Sequence, residues 1–394
     1  MIKNIGFNEK ITLVLSFLIL NNYFLLSIST PILLVKINFF LYLFAVIIFY
    51  FRNITENFYL KLFFLLIVII SLGVPTADWD PRSNYLFHAK RIFYDLSIFS
   101  VADNYASFSH NEYPTLVPAF ASSLAFFVGY WNEVLPKVSF TLIFLPPLIL
   151  MYSFLKNTFY LIFLSIVFFT IGKFLFNGWL DGILAMYFCM SAFLMYFLFF
   201  ANEYLEKKKL VLYLITFCFF ITLTLVKNEG FVLLLIIFGT TFGIKIYQGN
   251  LKNDFVKLVI LMLSFLPIIF WKLFCLSNGL GHEFLHPNIL SNLSSRLADF
   301  SNFKIVSYFV LLNEKILFSI IFFLISCKIS WDKNIFIFTS VIFVIYSAVL
   351  FFIFLSTPYD LFWQLNSSAA RVVKSLSFFL AFFGLYNLRN YKIN

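Results

Sequence analysis

Charge is scarce in this chain. Lys, Arg, Asp and Glu together make up 12% of its 394 residues, whereas hydrophobic residues make up 62%. A soluble domain keeps about a quarter of its residues charged, and it cannot hide so much apolar surface from water. Cysteine is scarce too: Cys189, Cys218, Cys275 and Cys327 each stand alone in or beside apolar segments. With no Cys-x-x-Cys spacing, neither a zinc ribbon nor a disulfide framework is indicated, and the four read as small buried hydrophobes. The chain also lacks a P-loop, a dinucleotide glycine fingerprint and a Ser-His-Asp order. The first apolar run has no small-residue cleavage site and reads as a retained span.

What remains is a polytopic, all-α membrane protein. A helical span needs about 17–25 apolar residues. Stretches of that kind occupy 11–27, 31–51, 59–74, 115–131, 137–155, 158–176, 182–201, 210–226, 230–247, 255–276, 305–327, 334–355 and 372–388. They fill the chain, so 1–394 reads as one transmembrane domain without short repeats. The net charge of +10 is spread over the loops between apolar runs. That pattern fits topology signals and anionic membrane lipids, and it argues against nucleic acid.

Lysine and arginine in short loops set the orientation. Lys3 and Lys10 place the N-terminus inside, and Arg52 with Lys61 places the second connection inside. Lys207-Lys208-Lys209, Lys245 with Lys252, Lys328 with Lys333, and Arg389 with Lys392 also belong to the cytoplasm. Thirteen full crossings would put these four clusters outside, and twelve put them inside. The expectation is therefore about 12 transmembrane helices. Stretch 137–155 is the one expected to fail, because Pro146-Pro147 interrupts it. Asn313-Glu314-Lys315 similarly interrupts 305–327. Four polar stretches, 78–112, 177–181, 227–229 and 357–371, then share the outer face, joined by the loop 278–304.

The densest polar stretch contains Asp78, Asp80, Arg82, His88 and Lys90. Charges beside a membrane span are expensive and mark function by default. From Arg82 to Leu96 the pattern predicts an amphipathic helix at the membrane interface. Tyr85, Ala89, Ile92, Phe93 and Leu96 take one face; Asn84, His88, Arg91 and Asp95 take the other. Helix capping with Pro81 in the first position would explain Asp80, but not Asp78 or the clustered cations. The loop at about 76–114 is thus the expected catalytic loop, closed by His110-Asn111-Glu112-Tyr113-Pro114. Asp181 begins a later span, where an acid could also be a cap. Lys227-Asn228-Glu229-Gly230 reads as a site piece or a self-neutralising turn. His282-Glu283-Phe284-Leu285-His286 matches the His-Glu-x-x-His zinc pattern. Gly281 before it and Pro287 after it leave barely one turn, too little for a sustained metal-binding helix.

Several pieces together resemble the GT-C-type glycosyltransferases, multi-spanning enzymes related to aminoarabinose transferases and protein O-mannosyltransferases. They are Trp79-Asp80-Pro81-Arg82-Ser83 through His88-Ala89-Lys90, His110 to Pro114, Leu180-Asp181-Gly182, Lys227 to Gly230, and Trp363-Gln364-Leu365-Asn366-Ser367-Ser368-Ala369-Ala370-Arg371. The chain departs from the pattern at Gln364, where a histidine is expected, and in the two spans that precede Tyr59. The resemblance implies sugar transfer from a polyprenyl-phosphate-linked donor to an acceptor at the outer face of the cytoplasmic membrane. It implies Asp80 or Asp78 as base and Arg371, Lys90 or Arg82 on the donor phosphate. His88, Glu112, Asp181, Glu229 and Trp363 would support the substrates. A divalent metal at Asp78 or Asp181 is a further expectation; donor sugar and acceptor stay open.

Two other classes compete. A transporter or flippase of a lipid-linked or anionic substrate would carry charges within its spans, often with internal repeats. A glycan polymerase or ligase would share the composition but use a large outer loop rich in Arg and His. The modest, carboxylate-led loops here favour transfer of a single sugar.

Overall fold

The computed structural model describes residues 6–52, 55–155, 157–201, 206–281 and 288–389. Its regular elements are all helices, with no strand among the described residues. Nine of the described helical stretches are long and apolar enough to cross a membrane, or ten if the bent pair Phe300–Val310 and Glu314–Ile329 counts as one. Large apolar side chains such as Leu33, Phe40, Phe44 and Ile47 point outward from the bundle. In water such a surface would aggregate; in lipid it is the expected exterior.

The centre is the Leu180–Phe199 helix, which is buried almost throughout. It packs against Ala370–Leu388, Glu206–Val226 and Asn228–Tyr247. A helix apolar all round can only be buried or face lipid, and this one is enclosed by its neighbours. The N-terminal helices Phe7–Ser27 and Ile32–Phe51 sit at the periphery, with under half of their apolar windows buried.

The region between 115 and 176 departs from expectation. The stretch around Pro146-Pro147 breaks after Leu142, but Leu135–Leu142 and Leu145–Ser153 together keep the length of a span. Both prolines fall in the first turn of the second piece, where no backbone donor is missed. Shortness sits on either side of it instead. Leu116–Val128 has 13 residues and Tyr160–Thr170 has 11, reaching about 20 Å or less against a hydrocarbon core of about 30 Å. The interruption at Asn313 is real: the two helices there meet at 69°, and the Asn313 side chain accepts from the Lys315 N–H at 3.1 Å.

The expected amphipathic helix begins with a π-helical turn, Pro81–Tyr85, and continues as Leu86–Asp95. Its apolar face is buried at Tyr85, Ala89 and Ile92, whereas Leu96 leaves the helix with φ 57° and is exposed. The polar face is not open to water as expected, because Asn84 and His88 are both buried. A covering loop accounts for this. Arg91 donates to Asp103 at 2.8 Å and to the Ser100 carbonyl at 2.8 Å, and His88 bonds the Ser109 carbonyl at 2.7 Å. The expected loop 278–304 also holds helix, Ile289–Ala298, whose Arg296 grips the end of Lys333–Ser356. It donates to the carbonyls of Phe354, Leu355, Thr357 and Tyr359 at 2.7–3.3 Å. All four cysteines are buried and unpaired.

Candidate active site

Helices start at Pro81, Leu180, Asn228 and Leu361 and end at Val226 and Ser356 around one cavity of about 910 Å³. Its walls come from the 79–84 turn, the 107–113 loop, Trp179 and Asp181, Lys227 and Glu229, the end of Lys333–Ser356, and 359–372. The polar stretches separated in the sequence therefore meet in one place.

Asp80 is the first hinge of the site. It precedes the Pro81–Tyr85 turn but makes no side-chain cap bond there. Its carboxylate instead accepts from the Arg371 guanidinium at 2.6 Å, across 291 positions of sequence. Arg371 follows a second π-helical turn, Leu365–Ala369. Such turns often occur at functional sites, and here one adjoins each member of the pair. The guanidinium also lies 4.5 Å from the ring centre of Trp179, a contact worth more where water is excluded.

Asp78 does a different job. Its Oδ2 accepts from the Trp179 indole N–H at 2.7 Å and from Asn177 at 3.2 Å, with Lys173 at 3.9 Å. It thereby ties the 76–114 loop to the 177–179 turn. Gly178 lies inside that turn with φ 86°, and a Cβ there would stand 3.3 Å from both Lys137 and Pro81. Only glycine fits without strain. Lys137, buried in the neighbouring helix, donates to the Val74 carbonyl and secures the segment leading to Asp78.

The second charged group is buried. Lys227 lies 2.9 Å from Glu229 and 3.4 Å from Asp181. Asp181 and Glu229 each occupy the first turn of a helix, where the helix dipole favours an acid. The N-cap residues before them, Trp179 and Lys227, make no side-chain cap bond. The self-neutralising reading of 227–229 is thus half of the arrangement, since Lys227 also serves Asp181 from another helix. Gly230 lets the two helices turn this tightly: a Cβ would collide with the Leu223 carbonyl. Glu112 is buried on the far wall, 3.6 Å from the His110 ring nitrogen. Its carbonyl accepts from the Trp271 indole at 3.1 Å.

Several wall atoms are buried without a hydrogen-bond partner. They are Asn84 Oδ1, Glu112 Oε1, Asp181 Oδ2, Glu229 Oε2 and Arg371 Nε. Buried polar atoms are normally satisfied; four of these are acceptors and Arg371 Nε is a donor, and all five belong to residues that border the cavity. The Tyr85 hydroxyl, also buried and unpartnered, lies in the field of Asp80, Asp181, Lys227 and Glu229. Burial pushes its phenol well up, so it stays protonated.

Other expected site residues fall elsewhere. Lys90 is exposed and faces Glu133 at 3.9 Å, outside the cavity. Arg82 is likewise exposed and is not part of the wall. His88 holds Ser109 from behind the wall rather than facing the cavity. Trp363 and Gln364 do line it. The expected metal role for Asp78 and Asp181 does not suit their surroundings. Asp78 already accepts two N–H groups and Asp181 faces an ammonium; among the described residues no three His, Cys, Asp or Glu side chains form a ligand group. The His282 to His286 motif lies outside the described residues, although Gly281 beside it borders the cavity. Sequence reasoning missed Asn84 and Trp179 as wall residues. Tyr85, which its periodicity places in the core, is buried there as expected.

Comparison with protein-family models, curated proteins and solved structures finds no match to this chain.

Proposed function

We propose that this chain is an integral-membrane glycosyltransferase of GT-C type. In this reading it moves one sugar from a polyprenyl-phosphate-linked donor to an acceptor hydroxyl at the outer face of the cytoplasmic membrane. Twelve crossings with both termini in the cytoplasm complete the proposal. The observation that carries it is the Asp80–Arg371 pair at 2.6 Å on the wall of a cavity that also carries Glu112, Asp181 and Glu229.

The chemistry assigns a role to each partner. The acceptor oxygen attacks the anomeric carbon while Asp80 takes the hydroxyl proton. The bond from that carbon to the phosphate oxygen breaks, and its electron pair remains on the lipid phosphate. Arg371 stabilises that developing charge with a planar fork suited to phosphate oxygens. Asp181, Glu229 and Glu112 accept from sugar hydroxyls and set the ring's orientation, and Lys227 keeps the charges of Asp181 and Glu229 from repelling one another. Asp78 and Trp179 hold the loop and the guanidinium in place.

The test is a transfer assay with purified protein and short-chain polyprenyl-phosphate sugars. A general base is worth about 10²–10⁴ in rate. Asp80→Asn should therefore yield a folded protein with transfer lowered by at least about a hundredfold. A near-normal rate in that variant removes Asp80 as base. Movement of the donor across liposome membranes without any sugar transfer would favour a transporter instead.

A further inference from the structure

We propose that Arg296 is a positioning residue for the cavity, clamping its 354–359 wall and thereby setting how tightly the lipid-linked donor binds. The donor comes from the glycosyltransferase reading above; the clamp itself rests on hydrogen bonds. Arg296 lies in the Ile289–Ala298 helix, which has no buried residue. The partly covered positions, Ile289, Asn292, Leu293 and Arg296, fall on one helix face, whereas Leu290 and Leu297 are exposed. Both polar residues of the covered face bond the same segment. Arg296 Nη1 donates to the carbonyls of Phe354, Leu355 and Thr357 at 3.2, 3.3 and 2.9 Å, and Nη2 donates to that of Tyr359 at 2.7 Å. Asn292 adds a bond to the Thr357 carbonyl at 3.1 Å.

These acceptors mark a weak point in the chain. The last carbonyls of a helix have no partner within it, and Lys333–Ser356 ends here. Pro358 has no N–H with which to close the turn. Phe354 and Tyr359, on either side of the break, both line the cavity. The chain then runs to Arg371 through Trp363, whose N–H bonds the Asp360 carboxylate at 2.8 Å and whose ring lies 5.6 Å from that of Tyr359. Arg371 is fixed by Asp80 at 2.6 Å. The strip is thus tied at both ends, by Arg296 and by Asp80. A helix with no buried residue contributes little hydrophobic stabilisation, so the effect of its two bonded side chains falls on this strip.

The strip borders the donor. Leu350, Ile353 and Phe354 form an apolar side of the cavity, and Val372, also on the wall, adjoins Arg371. A lipid chain whose phosphate sits on Arg371 meets these residues first. Contacts to that chain are equal in ground state and transition state, so loosening them raises KM and spares kcat. Lysine cannot replace the arginine, because one ammonium lacks the planar fork that reaches carbonyls spread over 354–359.

The purified full chain is compared with Arg296→Gln and Arg296→Lys by amide hydrogen exchange and by transfer kinetics with short-chain polyprenyl-phosphate sugars. In both variants exchange at 359–366 should rise by about tenfold or more, while that at 105–113, on another wall, stays unchanged. Donor KM should rise by about tenfold with kcat within about threefold of wild type. Ser294→Ala, on the exposed side of the same helix, should match wild type throughout. Unchanged exchange overturns the clamp. Raised exchange with unchanged KM makes Arg296 a structural residue only and overturns the positioning role, as does full recovery by lysine or failure of both variants to fold. If wild type transfers no sugar, the glycosyltransferase reading fails by itself, and the clamp is judged on farnesyl phosphate binding by native mass spectrometry. Binding weakened by about tenfold in the variants then upholds it; equal binding, or none to wild type, overturns it.

Discussion

Acidification should loosen the loop over the cavity, because His88 is its anchor. The ring is 2% exposed. Nε2 donates to the Ser109 carbonyl at 2.7 Å, and Nδ1 is buried without a partner. Protonating Nδ1 would create an unsatisfied donor in a dry place. Burial, with Arg91 and His110 adding repulsion, lowers the pKa from the ordinary 6.5 to about 4, despite the Ser109 bond and Glu112. Because the closed form binds the proton less well, closure is fully favoured above pH 6.5 and weakens as pH falls towards 4. Each factor of ten in proton affinity is worth 1.36 kcal/mol, so the full loss is about 3 kcal/mol. By pH 5 it is about 2 kcal/mol, roughly a thirtyfold rise in the opening constant. Hydrogen exchange of the 105–113 amides at pH 7.5 and pH 5, corrected for intrinsic exchange, measures that ratio. His88→Gln should flatten the dependence. His110→Asn, on the same loop and suited to its positive φ of 53°, should preserve it. An unchanged opening constant between the two pH values, or the same dependence in His88→Gln, refutes the reasoning.

Lys227→Met leaves Asp181 and Glu229 buried without their shared cation, and should destabilise the protein by about 3–5 kcal/mol. Thermal unfolding in detergent measures this, and adding Asp181→Asn should recover part of the loss, as coupled residues do; strict additivity would separate the two. Arg371→Lys keeps a charge but loses the fork on Asp80 and the stacking on Trp179. Donor KM should rise by about tenfold or more, and an unchanged KM takes Arg371 off the phosphate. For the proposed topology, a cysteine placed at Asn104 should react with an impermeant reagent from outside and one at Lys252 should not, in a background where the buried native cysteines stay silent. Reaction of both from the same side would contradict twelve crossings.

Composition alone determined the solvent of this protein and its helical class. With so few charged residues and apolar runs of span length filling the chain, backbone groups in lipid have no partner but their own helix. The interruption at Asn313 was likewise legible, as was the gathering in one place of the polar stretches that carry Asp80, Arg371, Asp181, Glu229 and Glu112, since charges next to apolar runs are costly wherever the chain puts them. The assignment of partners was not legible. Asp80 meets Arg371 rather than nearby Arg82, and Lys227 serves Asp181 as well as Glu229, because ion pairs depend on distance in space and helix packing brings remote turns together. The covering loop was the other obstacle. A 3.6-residue reading of 82–96 finds the apolar face at Tyr85, Ala89 and Ile92, but not that the 97–109 segment folds over the polar face and buries Asn84 and His88. Whether a stretch reaches across a membrane also depended on where helices stop. The prolines at 146 and 147 cost the chain no span-length stretch, because packing begins a new helix just where their missing donors are not needed.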